Sequence, residues 1–113
     1  LNINADTIAA QIAISLKTEK LILFTNTEGV YNGNKLVSFF TMEQATYAIA
    51  EGIVKDGMAV KIENAVTALK GGVKRIHIIN GLSKHSLLME VLTRKGIGTM
   101  ITSEKERNLY LSE

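Results

Sequence analysis

Three short constellations carry side chains suited to handling an anion. Gly57-Met-x-x-Lys61 sets a lysine early in an expected helix, just after a flexible glycine. Lysine normally favours the other end of a helix, where it complements the dipole. An anionic ligand would account for a cation here, and so would an ordinary solvated surface lysine. Asn2-x-Asn4-x-Asp6 gathers three polar side chains at another helix opening. There they serve either as caps or as neighbours of a bound anion. Thr25-Asn-Thr-Glu-Gly29 follows an apolar run. It is either a plain connecting turn or a place where Gly29 lets the backbone approach a ligand. His77 sits inside an apolar strand, where packing alone explains it, and His85 precedes a helix. No histidines and carboxylates share metal-ligand spacing, and no Ser/His/Asp arrangement can be drawn. Gly96-Ile-Gly98 continues into neither common phosphate-loop pattern.

The elements that must position these residues read as alternating helices and short apolar strands. Asn4 or Asp6 caps a helix running to about Leu16, with Ile8, Ala9, Ile12, Ala13 and Leu16 at helical spacing. Lys20–Thr25 suits a strand buried on both faces, as in a parallel sheet. Asn32-Gly33 marks a tight turn, and Leu36–Phe40 a short return strand. Thr41 with Gln44 forms a capping box for a helix ending near Gly52. Asp56-Gly57 breaks the chain, and a helix from about Ala59 to Lys70 stops at Gly71-Gly72. Val73–Ile79 is a second buried strand, Ser86–Leu92 a helix, and Gly96–Ile101 a final strand. Residues 102–113 are polar and read as a frayed tail, with Leu109, Tyr110 and Leu111 able to dock. The expectation is an α/β layered sandwich, a mostly parallel sheet with helices on both faces. Its ligand would lie beyond the carboxyl ends of the strands, at the loops after Thr25 and Ile79.

Composition narrows the class. The chain has 113 residues, enough for one domain, with 46% hydrophobic and 21% charged residues. Net charge is +2 with dispersed basic residues, aromatics are 5%, and tryptophan is absent. Neither a clustered basic face nor a base-stacking platform is built from that, so a nucleic-acid partner is not expected. There are no cysteines, which excludes disulfides and thiolate chemistry. No apolar run approaches the roughly 20 residues of a membrane span. No basic-then-apolar leader opens the sequence, so a cytoplasmic location is expected. Leu1-Asn-Ile-Asn-Ala-Asp6 reads like mid-protein sequence, so an upstream segment is expected as well.

Five segments together carry a family resemblance: Asn2-Ile-Asn-Ala-Asp6, Leu21-Ile-Leu-Phe-Thr25 with Glu28-Gly-Val30, Asp56-Gly-Met-x-x-Lys61, Gly71-Gly-Val-x-x-Ile-His-Ile-Ile79 and Gly96-Ile-Gly-Thr-Met100. In this order and spacing they resemble the acetylglutamate kinases of the amino acid kinase family. The resemblance covers Leu1 to Ile101, as a nucleotide-binding lobe, with residues 102–113 outside it.

The resemblance implies phosphorylation of the side-chain carboxylate of N-acetyl-L-glutamate by ATP, an early step of arginine synthesis. Asp6 and Lys61 would be catalytic, Lys61 stabilising the transferring phosphoryl group and Asp6 orienting the lysines. Asn2 and Asn4 would meet the substrate. Asn26, Thr27, Glu28, Gly29, Val30 and Tyr31, with Ile53, Val54, Lys55 and Met58, would line the nucleotide pocket. His77, Glu90 and Gly96 match the arginine site of feedback-inhibited members. Magnesium would be held mainly through the ATP phosphates and waters, with no dedicated metal ligands. The family's glycine-rich phosphate loop, its other catalytic lysine and the helix that builds its inhibited hexamer would lie upstream. The fragment alone is therefore expected to be inactive. Asn26 departs from the family's usual Asp. The resemblance further implies a homo-oligomer, a nitrogen-signalling regulatory protein as partner, and a plastid stroma location in an alga or plant. Alternatives are a kinase for another acylated amino acid, or a non-catalytic lobe that binds nucleotide, arginine or that regulator.

Overall fold

The computed structural model describes residues 4–92 and 97–112. Along the chain these form α1 (Ala5–Leu16), β1 (Lys20–Thr25), β2 (Val30–Asn32), β3 (Lys35–Val37), β4 (Phe39–Thr41), α2 (Met42–Ala50), α3 (Asp56–Lys70), β5 (Arg75–Asn80), α4 (Lys84–Leu92), β6 (Thr99–Thr102) and α5 (Glu104–Ser112). A four-stranded sheet has the order β1-β5-β6-β4, and β2 and β3 make a separate hairpin. β1 pairs parallel with β5 and β4 parallel with β6, while β5 and β6 are antiparallel. The architecture is α/β and layered, with a mixed, mostly parallel sheet.

Alternation along the strands sorts their side chains onto two faces. Leu21, Leu23, Ile76, Ile78 and Ile101 belong to one buried cluster with residues of α1, α2 and α3. On the other face Glu106 of α5 meets Arg75, and Arg107 lies 5.0 Å from the centre of the Phe39 ring.

Local signals account for most helix ends. Asn4 Oδ1 accepts the Asp6 amide and caps α1. Thr41 and Gln44 make the expected reciprocal capping box on α2. Gly71 closes α3 through amide bonds to the last helical carbonyls.

The structure corrects five expectations. The apolar face anticipated for α1 is split, because Ala10 and Ala13 are buried while Ile8, Ile12 and Leu16 face out. Alanines pack inward because α1 lies close against α3, whose Ala65 and Ala68 are buried in the same cluster. Strand β1 buries only Leu21 and Leu23, and Phe24 is 48% exposed. It lies at the edge of the described sheet, so its second face lacks the cover a central strand has. The anticipated return strand is two strands, β3 in the hairpin and β4 in the main sheet, divided at Ser38. Helix α3 begins at Asp56 rather than near Ala59. Asp56 takes a left-handed φ of 54°, which aspartate tolerates better than most residues, so the sequence that looks like a break instead turns into the helix. The polar C-terminal segment forms α5 instead of fraying. Ser103 Oγ accepts the Glu106 amide at its start, and the Arg75–Glu106 pair pins it.

Candidate functional site

Helices α1 and α3 run side by side in the same direction, with their N-termini at one end. Asp6 meets Lys61, Thr7 meets Asn64, and Ile14 lies where a Cβ on Gly71 would fall, 2.6 Å away. The N-termini lie at the carboxyl end of β1, because α1 leads into β1 through a short reversal at Lys17 and Thr18. Two helix N-termini and a strand end therefore converge, the arrangement in which free amides and dipoles favour an anion.

At that point lies a cavity of about 420 Å³ lined by Asn4, Asp6, Thr25, Asn26, Thr27, Gly57, Met58 and Lys61. Lys61 Nζ donates directly to Asp6 Oδ2, and both side chains are mostly buried. Among the described residues on this wall, Lys61 is the only lysine or arginine. Lys55 gives α3 no side-chain cap, so the first amides of α3 are not blocked from that side. Lys61 falls in the second turn of α3, not the first, because the helix starts at Asp56.

A second cavity, about 200 Å³, is lined by Thr27, Gly29, Tyr31, Ile53, Val54, Lys55 and Met58. Thr27 and Met58 belong to both walls, so the two spaces are contiguous. The smaller one is the more apolar, with Tyr31 and Ile53 partly exposed beside Met58. A larger hollow, about 470 Å³, lies over β4 and α2 and is lined by Val37, Phe39, Phe40, Tyr47 and Ile53 among others. Through Ile53 it touches the apolar cavity, it shares no lining residue with the polar one, and it lacks their lysines.

The expected site residues thus separate into groups. Asn4, Asp6, Asn26, Thr27, Met58 and Lys61 come together at the polar cavity, and Gly29, Tyr31, Ile53, Val54 and Lys55 at the apolar one. Glu28 and Val30 stand on neither wall. Glu28 Oε1 accepts from Asn80 Nδ2 at 2.8 Å, and the Val30 side chain is 0% exposed in the core. His77 is buried on the sheet face away from Lys61, since Ile76 and Ile78 point toward α3. Asn2 and Gly96 lie outside the described residues, as does the Glu90 side chain. Thr25 and Gly57, which the sequence motifs contain but which were given no site role, also stand on the polar wall, and sequence reading missed Thr7 and Asn64 just behind it. Thr7 Oγ1 donates to Asn64 Oδ1 at 3.1 Å, one turn along from the Asp6–Lys61 pair. The spacing Asp6-Thr7 against Lys61-x-x-Asn64 was a usable signal only once the two helices were known to be parallel. Among the described residues, no group of three or more His, Asp or Glu is placed to hold a metal ion. Among the described residues, no helix is long and apolar enough to cross a membrane.

The chain is 50% identical over 100 residues to the acetylglutamate kinase of Pseudothermotoga lettingae, covering 88% of this chain and 36% of that enzyme. It thus spans little more than a third of the length of the curated relative. A structure of N-acetylglutamate synthase from Neisseria gonorrhoeae, with coenzyme A and L-arginine, superposes with a TM-score of 0.83. That match has 37% identity and covers 92% of this chain but 24% of the synthase. Carbamate kinase from Giardia lamblia bound to AMP-PNP superposes with a TM-score of 0.74 over 90% of this chain and 36% of that enzyme. At 15% identity it shows a common fold alone. Residues 1–80 match the model of the amino acid kinase family, and the chain belongs to that family.

Proposed function

We propose that this chain is the nucleotide-binding half of an ATP-dependent kinase that phosphorylates the side-chain carboxylate of N-acetyl-L-glutamate. The observation that carries the reading is the Asp6–Lys61 pair, set where the N-termini of α1 and α3 meet the carboxyl end of β1. The adjoining apolar cavity suits a base, and the polar one suits its phosphates. The names of relatives such as the P. lettingae enzyme support the choice of substrate.

Phosphoryl transfer asks a protein for positioning and positive charge more than for covalent chemistry. Lys61 supplies a cation that is already oriented, so little reorganisation is needed as charge shifts on the transferring group. Asp6 holds that ammonium in place. A carboxylate acceptor is ionised near neutral pH, so the attack needs no general base. Asn4 lies beside the pair, in reach of an acceptor at the polar cavity. Magnesium would arrive with the ATP phosphates. Phosphorylation of this acceptor would serve arginine synthesis in a cytoplasmic compartment, and His77, Glu90 and Gly96 would contribute to feedback by arginine.

Calorimetric titration with ADP tests the binding half of the reading. The 113-residue chain should bind weakly and, with Lys61 the only cation described on the polar wall, should transfer no phosphate. A folded sample that takes up no nucleotide would overturn the first statement, and turnover by the chain alone the second. In the full-length protein, ATP with N-acetyl-L-glutamate should yield ADP and an acyl phosphate that hydroxylamine traps. A second reading follows from the match to the N. gonorrhoeae synthase, in which this lobe binds an effector without transferring phosphate. Acetyl transfer from acetyl-CoA to glutamate, without ATP turnover, would favour it.

A further inference from the structure

We propose that Thr99 is a positioning residue for the nucleotide loop: its hydroxyl fixes the backbone of Gly29–Tyr31, which forms one wall of the base-side cavity. The proposal rests on that cavity being the nucleotide site. Thr99 itself stands on neither cavity wall and is 0% exposed. Its Oγ1 accepts the Val30 amide at 2.9 Å and donates to the Val37 carbonyl at 2.5 Å. One side chain from β6 therefore joins the first strand of the hairpin to the second, across 69 and 62 residues of sequence.

The Val30 amide has no water as a substitute. Val30 is wholly buried, so its amide stays inside whether or not a partner is present. Gly29 and Tyr31, the residues on either side, both line the cavity, so a shift of Val30 moves the wall. The fit around the hydroxyl is close. A Cβ on Gly29 would sit 2.7 Å from Thr99 Oγ1 and 3.2 Å from the Gly98 carbonyl carbon. One on Gly98 would sit 2.3 Å from the Ile78 carbonyl oxygen and 3.2 Å from that of Glu28. Two glycines thus bring the loop backbone down onto β6, and Thr99 holds it there. Threonine suits the position because a hydroxyl gives and takes a hydrogen bond in the same small volume. Valine has the same shape and does neither.

The test pairs ADP titration of the full-length protein with hydrogen exchange at the segment carrying Val30, for Thr99→Val and Thr99→Ser. Thr99→Val should weaken ADP binding about ten-fold and speed Val30 exchange, because a buried amide loses its acceptor. Thr99→Ser keeps the hydroxyl and should stay within about two-fold on both. Wild-type affinity in Thr99→Val, or equal loss in Thr99→Ser, would overturn the proposal. If Thr99→Val does not fold, the unaltered protein decides. Its Val30 amide should be protected before ADP is added and change little afterwards. Fast exchange that slows only with ADP would mean the wall is not set in advance, and the idea fails. Failure of the unaltered protein to bind ADP would remove the nucleotide reading and this inference with it, whereas binding unaffected by Thr99→Val removes this inference alone.

Discussion

The two joined cavities are built by different means. The polar one is built by side chains on helices: Asp6 from α1 and Lys61 from α3, held by helices that pack through alanines. The apolar one is built by backbone: a glycine-bearing loop pressed onto β6 and held there by one hydroxyl. The difference teaches where each can fail. A side-chain site tolerates truncation structurally and loses chemistry. The loop wall depends on two closely fitted glycines, so an atom added at either disturbs the fold before it disturbs the chemistry.

Lys61→Ala is the sharpest way to break that comparison on the polar side. Turnover in the full-length protein should fall by about 10²–10³-fold, the usual consequence of losing one preorganised charge at a transferring group. Its thermal midpoint should fall by less than a core truncation costs, because Asp6 keeps 21% of its side chain exposed at the cavity and water can take part of the lysine's place. ATP binding should weaken much less than turnover. A variant with unchanged turnover would remove Lys61 from the chemistry.

Gly98→Ala is the counterpart on the apolar side. Gly98 has φ 75°, and a methyl group there would meet the Ile78 carbonyl at 2.3 Å. The left-handed backbone and the clash together should cost about 3 kcal/mol of stability, read from chemical denaturation. A variant as stable as the parent would show that Gly98 is not pressed against Ile78 and Glu28 as described.

The same contrast explains what could be read from the sequence. Signals confined to a few neighbouring residues were legible. The Thr41–Gln44 capping box, the Asn32-Gly33 turn and the Gly71 stop each act within a turn of chain, and each forms as expected. Lys61 could be singled out because a lysine near a helix start is locally odd, whereas Asp6, an ordinary acid at a helix start, took its role from the family resemblance. Contacts spanning the chain left no such mark. Thr99 reaches residues 69 and 62 positions away, and nothing in Gly-Thr-Met announces that. Helix α5 was hidden for the same reason, since its anchor is Arg75 on a distant strand. Val30 was assigned to the nucleotide wall because its neighbours were, although strand alternation turns its side chain inward.

The smallest effect concerns the support behind the polar wall. Thr7 and Asn64 join α1 to α3 one turn from Asp6 and Lys61, so they should help set the distance between those two helices. Asn64→Ala and Thr7→Val should each cost about 1 kcal/mol, the common worth of a partly buried hydrogen bond. If the two side chains act through each other, the double variant should cost about as much as either single one. Turnover should drop only a few-fold in each case, because Asp6 still meets Lys61 directly. Additive stability losses would mean that the two side chains act separately, and that the Asp6–Lys61 pair is held by alanine packing alone.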